Sequence, residues 1–146
     1  VRGMGRTAAG VHGIRLKTHD EVVGMNIISR RDLDPELDAL VLMANGYGKR
    51  TKMSQYKKQH RGGVGIKGAK VTPKTGPICQ AKTINLSRQK EEAEGDLLII
   101  SKMGQVIRLP LSDIPRLGRA TQGVRVMRFK EPIDVIASAT VILIYV

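Results

Sequence analysis

The residues of this chain that could do chemistry are concentrated in one stretch, KKQHRGGVGIKGAK at 57–70. It sets Lys57, Lys58, Arg61, Lys67 and Lys70 among four glycines, with no acid. Cations neutralise phosphates and release their counterions, and glycines let backbone N–H groups come close to a phosphate chain. The pattern extends beyond the stretch. No Asp or Glu occurs between Asp38 and Glu91, an interval that holds twelve Lys and Arg. The other thirteen basic residues are balanced by the thirteen acids, so the whole net charge of +12 arises in that interval. A merely solvated surface would mix the signs. A segregated block argues for a polyanionic partner, nucleic acid ahead of an anionic membrane or an acidic protein. With one Phe and no Trp, stacking platforms for single strands are not expected, which leaves contact with a duplex backbone. The candidate contacts are Lys49, Arg50, Lys52, Lys57, Lys58, Arg61, Lys67 and Lys70, with Gly62, Gly63 and Gly65.

Other chemistries find less support. Gly63–Gly68 matches G-x-G-x-x-G literally, but Tyr56 to Arg61 is not a buried strand and no acid for a ribose follows. Gly48-Lys49-Arg50-Thr51 has the wrong order for a Walker loop. His12, His19 and His60 lie far apart, with no nucleophile and orienting acid beside them. The acidic cluster EEAEGD at 91–96 could hold a metal, yet such loops are ordinarily just solvated. Neither catalysis by this chain nor a cofactor is expected. Tyr47 and Tyr56 flank the basic run and could stack on a ligand or pack a hairpin. The six Met read as core filler. The lone Cys79 excludes an intramolecular disulfide. No apolar run reaches the roughly 18–20 residues that cross a bilayer, and VRGMGRTAAG lacks the apolar middle of a secretory signal. A soluble, cytoplasmic protein with no membrane partner is expected.

The elements that must position these residues repeat along the chain. At an offset of 58, Leu42 meets Ile100, Gly46 meets Gly104, Arg50 meets Arg108 and Ser54 meets Ser112. The same offset carries Arg61 to Arg119 and Gly65 to Gly123, and a further copy brings in Arg6 and Gly10. A period of this size indicates bladed or stacked repeats. ALVLMA and DLLIIS read as short buried strands, with Asn45-Gly46 and Met103-Gly104 at hairpin positions. VVGMNII, ICQAKTI and VIASATV supply a further apolar stretch in each copy. NLSRQKEEAE at 85–94 reads as an exposed loop, and DLDPELDA at 32–39 as a candidate start of a helical turn. The fold class is all-β, with propeller-like blades of about four strands. The units are a partial repeat over about 1–37, a repeat over about 38–94 and a repeat over about 95–146.

Gln59-His60-Arg61-Gly62-Gly63-Val64-Gly65 resembles the Q-R-R-G-G-K-G box of the DNA gyrase A protein's C-terminal domain, agreeing at five of seven positions. VRGMGRTAAGVHGIRL, NGYGKRT and GRATQGVRVMRF resemble that family's blade repeats, so the likeness covers nearly the whole chain. The resemblance implies a β-pinwheel, a ring of about six blades with exchanged strands, whose basic rim wraps duplex DNA. It adds Gln59 to the candidate contacts. It implies a wrapping module that serves ATP-dependent negative supercoiling by the whole gyrase, beside the rest of the gyrase A protein and the gyrase B protein in a bacterial cytoplasm, at the nucleoid. The related domain of topoisomerase IV resembles it in its blades but generally lacks the box, so Gln59–Gly65 favours gyrase. A propeller that binds an acidic protein is the alternative from another class. The departures are His60 and Val64, the second removing one phosphate contact. With two nearly complete repeats and part of a third, the chain looks like the C-terminal half of such a ring. The family's nucleophilic tyrosine is not assigned to Tyr47, Tyr56 or Tyr145. Open sheet edges in a half ring are expected to pair two chains.

Overall fold

The computed structural model describes residues 3–28, 37–85 and 95–143. Residues 32–36, expected to begin a helical turn, and 86–94, with the acids Glu91, Glu92 and Glu94, lie outside it. The ends of those two stretches are strand instead: Leu37–Ala39 opens one strand and Gly95-Asp96 another.

Among the described residues seven strands form, β1 Leu37–Met43, β2 Tyr47–Lys52, β3 Ile78–Asn85, β4 Gly95–Ser101, β5 Val106–Pro110, β6 Val124–Arg125 and β7 Ile136–Leu143. β4 and β7 begin 58 residues after β1 and β3. Short 3-10 turns at Met53–Gln55 and Leu111–Asp113 recur at the same offset. Two antiparallel sheets result, one ordered β3-β1-β2-β6 and the other β5-β4-β7.

Each hairpin turns on a glycine in the left-handed region, Gly46 at φ +81° and Gly104 at φ +82°, which an L side chain would resist. β1 has polar Asp38 but is buried along its whole length because both of its faces are covered. Leu40 and Leu42 point to the second sheet and join Leu97, Ile99, Ile136 and Ala139 in the main core. Val41 and Met43, on the other face, join Tyr47 and Ala69. That two-sided burial explains the unbroken apolar run ALVLM, since alternation appears only where one face meets water. Each fully buried Leu or Ile contributes about 1.5–3 kcal/mol.

The fourth strand of the first sheet comes from the next repeat. β6 pairs with β2 through Tyr47 opposite Arg125 and Gly48 opposite Val124. Val126 N–H and Met127 N–H then donate to Gly46 O at 2.8 and 3.1 Å. A blade is thus completed by its successor, which ties the two repeats into one unit.

Candidate nucleic-acid interface

Three turns, at 5–10, 60–65 and 118–123, occupy equivalent places in successive repeats. Gly10, Gly65 and Gly123 close them at φ +84°, +73° and +79°. Arg6, Arg61 and Arg119 stand at the same position in each. The turns are linked in a row by backbone hydrogen bonds. Arg15 N–H donates to Gly63 O at 2.8 Å, and Lys70 N–H donates to Thr121 O at 3.0 Å. The Arg119 guanidinium reaches Lys67 O. The basic side chains of Lys57, Lys58, Arg61, Lys67 and Lys70 are all exposed, as are Gln59 and His60, and Arg6 and Arg15 extend the same row.

The middle turn is built differently from its two counterparts. Gly62 sits at φ +73°, where Thr7 and Ala120 at the matching places are not left-handed. Its peptide is turned so that Gly62 N–H donates to Gly13 O at 2.8 Å. The Gly62 amide therefore anchors the turn to the neighbouring segment instead of pointing outward. Gly63 has no such φ and is exposed. A Cβ on Gly65 would meet only Ile14 Cδ1 at 3.7 Å, so its positive φ alone calls for glycine there.

Two expected contacts are placed elsewhere. Lys49 is fully buried. Its ammonium donates to Gly118 O at 2.9 Å, Arg119 O at 2.6 Å and Thr121 Oγ1 at 3.4 Å. Burial, with the nearby Arg119 cation, pushes its pKa below 10.5. A buried ammonium is tolerable only when oxygens surround it, so Lys49 is a strut under the third turn and meets no external phosphate. Arg50 is half-buried and donates from Nε to Ile114 O at 2.6 Å, with its Nη1 3.5 Å from Asp38 Oδ2. Asp38 also receives Arg116 Nε at 3.0 Å. Burial and Arg116 lower the Arg50 pKa while Asp38 supports its charge. With Thr51 Oγ1 donating to Leu117 O at 2.9 Å, β2 holds the 114–121 strap in place. Lys52, at the end of β2, is half-exposed.

Tyr47 packs the hairpin. It is buried, its hydroxyl lies 3.1 Å from Arg125 Nη2, and the Arg125 guanidinium sits 5.3 Å from the ring centroid. Lys74 Nζ approaches the same ring at 5.8 Å, close enough for a cation–π contact. The Arg125 hydrogen bond lowers the Tyr47 pKa, against the opposing effect of burial. The literal nucleotide fingerprint at Gly63–Gly68 opens no helix. Among the described residues no cluster of metal-ligating side chains occurs, and no helix is long and apolar enough to cross a membrane.

Arg6, Arg15 and Arg119 were absent from the contacts expected on sequence. The repeat held the signal, since Arg6 and Arg119 align with Arg61, but the charge count drew attention to the acid-free interval alone.

Comparison with known proteins gives a consistent answer. The profile of the family described as DNA gyrase C-terminal domain, beta-propeller, matches residues 1–29, 44–76 and 95–142. The DNA gyrase A protein of Staphylococcus epidermidis is 44% identical over 128 residues, covering 88% of this chain and 13% of that protein. Its Staphylococcus aureus counterpart is 42% identical over the same share. The chain therefore spans about one eighth of the length of these curated relatives. Among solved structures, the C-terminal domain of DNA topoisomerase IV superposes with a TM-score of 0.75 at 18% identity, over 92% of this chain and 38% of that one. A DNA gyrase A C-terminal domain gives 0.62 at 24% identity, over 71% and 33%. At those identities the two structures support the fold alone.

Proposed function

The chain belongs to the DNA gyrase C-terminal domain family, and from that premise we propose that it is a non-catalytic module that binds and wraps duplex DNA. The observation that carries this reading is the row of three linked turns. It bears Arg6, Arg61 and Arg119 at one repeating position, with Lys57, Lys58, Lys67 and Lys70 exposed around the middle turn. Gln59, Arg61, Gly63, Gly65 and the exposed lysines form the contact, Gly62 shapes it from within, and Lys49 and Arg50 hold its neighbour. The contacts go to phosphates, so they position the duplex without reading its sequence.

In the whole enzyme this module supports ATP-dependent negative supercoiling, with the chemistry carried out by the rest of the gyrase A protein together with the gyrase B protein. It works in the cytoplasm on the nucleoid, with no cofactor of its own and no membrane partner. The open sheet edges support association between copies of the chain.

Salt titration of duplex binding is the test. About six phosphate contacts give a slope of log affinity against log salt near −5. A flat response, or no duplex binding at low salt, overturns the reading and turns attention to an acidic protein partner. Replacing Lys57, Lys58 and Arg61 together with Ala should weaken binding to all duplex sequences alike and make the slope shallower by about 3.

A further inference from the structure

Three elements meet at the side chain of Tyr47. β2 carries the ring, the exchanged strand β6 sets Arg125 opposite it, and the turn at 72–76 brings up Lys74. That turn is docked on the hairpin by Asn45, whose side-chain amide donates to Pro73 O at 3.1 Å and Lys74 O at 3.2 Å. Asn45 N–H also donates to Thr75 O at 3.0 Å, and the fully buried Thr75 closes the turn. The fit is tight, since a Cβ on Gly76 would lie 2.9 Å from Asn45 Oδ1. Each element thus has its supporting partners inside the chain: β2 lies between β1 and β6, and the turn rests on Asn45.

The polar groups gathered there are all donors. A guanidinium and an ammonium can only donate, so the 3.1 Å bond from Arg125 Nη2 makes the Tyr47 oxygen an acceptor. The phenolic proton is left to give, and no acceptor for it occurs among the described residues. Arg125 and Lys74 are both exposed, and neither has a carboxylate partner among the described residues. Arg125 first, and Lys74 with it, favour negative charge on the hydroxyl and lower its pKa. Two positive charges and an O–H therefore converge with nothing to receive them. An anion with several oxygen acceptors supplies what is missing, through charge-assisted hydrogen bonds.

The repeat indicates which anion. Arg125 stands 58 positions after Lys67, so it holds in the third repeat the place of an exposed cation of the middle one. It follows Gly123, which closes the third turn, by two residues. The counterparts of Tyr47 and Lys74 in the second sheet are Gln105 and Pro132. Gln105 donates to Arg128 O at 2.6 Å and accepts Lys130 N–H at 3.1 Å, and Pro132 carries no charge. The second sheet therefore does not repeat this donor set. We propose that the Tyr47 hydroxyl, Arg125 and Lys74 form a phosphodiester site that takes a backbone phosphate of the duplex beside the third turn. It rests on the duplex-binding reading above and adds to it an uncharged donor and an arginine from outside the acid-free interval. The site exists only where β6 has crossed to the first sheet, so blade exchange assembles it.

The experiment is duplex binding over a salt series, with the variants Tyr47→Phe, Lys74→Ala and Arg125→Ala. Tyr47→Phe keeps the ring and both cations, so affinity should fall about three- to tenfold with the log–log salt slope unchanged. Lys74→Ala and Arg125→Ala should each weaken binding and make the slope shallower by about 1. Lys74 is exposed on a turn held by Asn45, so Lys74→Ala should leave the melting temperature unchanged. Its loss of affinity then cannot come from a loosened β6. Duplex affinity that stays unaltered in folded Tyr47→Phe overturns the site and leaves the hydroxyl a packing role. Inorganic phosphate, titrated without duplex at constant ionic strength, separates the two sources of the anion. If Tyr47→Phe weakens phosphate binding and not duplex binding, the occupant is the free ion and the proposal falls. An unaltered chain that binds no duplex at low salt overturns the DNA reading and the site together. A steep slope shared by the unaltered chain and all three variants overturns the site alone.

Discussion

An ammonium taken out of water needs oxygen acceptors around it, and at Lys49 three are within reach. Lys49→Met keeps the apolar stem and removes the donor, leaving Gly118 O and Arg119 O underneath the strap without it. A loss of about 1–3 kcal/mol is expected in urea unfolding. Lys57→Ala, on the exposed side, should change stability by less than about 0.5 kcal/mol while still weakening duplex binding. Asp134 gives a pH signature. Burial alone would raise its pKa, but the Ser101 hydroxyl and the backbone N–H groups of Met103, Val135 and Lys102 outweigh that and hold it below 3.8. A carboxylate lowered by folding stabilises the fold fully above its ordinary value of 3.8, and the contribution disappears as pH falls through the depressed value. Unfolding measured from pH 5 down to pH 2 should show that loss in the unaltered chain, and Asp134→Asn should flatten it. The types and positions of these side chains are legible in the sequence. Their roles are not, because Lys49, Lys57 and Lys58 are alike in type and only burial separates them.

At the scale of elements, the repeat does the explaining. The turns at 5–10 and 118–123 share a sequence pattern and a left-handed glycine, yet their surroundings differ. A Cβ on Gly123 would lie 2.6 Å from Gly48 O, whereas one on Gly10 meets nothing within 4 Å. Both Gly123→Ala and Gly10→Ala incur the left-handed strain of about 1–2 kcal/mol. Gly123→Ala should lower the denaturation midpoint further, because the β2–β6 joint must also open. Equal effects would show that the exchanged strand contributes little. The hairpins were readable from Asn45-Gly46 and Met103-Gly104, since a tight turn leaves a local mark. The change of backbone at Gly62 was half-readable: the extra glycine is in the sequence, but the N–H it sends inward to Gly13 depends on a segment some fifty residues away.

For the molecule as a whole, the main core lies between the two sheets, so neither blade is independent. Leu97 and Leu40 meet across that boundary, both essentially unexposed. Leu97→Ala should cost about 2–5 kcal/mol, and both blades should still unfold in one transition that far-ultraviolet dichroism follows. Two separate transitions would show that the repeats are autonomous. The sequence by itself determined the all-β class, the spacing of the blades, the surplus of charge and the likeness to the DNA gyrase C-terminal domain family. Each of these is written in periodicity, composition or a local motif. Only the tertiary structure decided which cations remain on the surface, which hold a neighbouring turn, and that a blade receives its fourth strand from the next repeat. Those outcomes depend on contacts between residues 50 to 80 positions apart. There burial and the demand of each buried donor for an acceptor, not residue type, select the role.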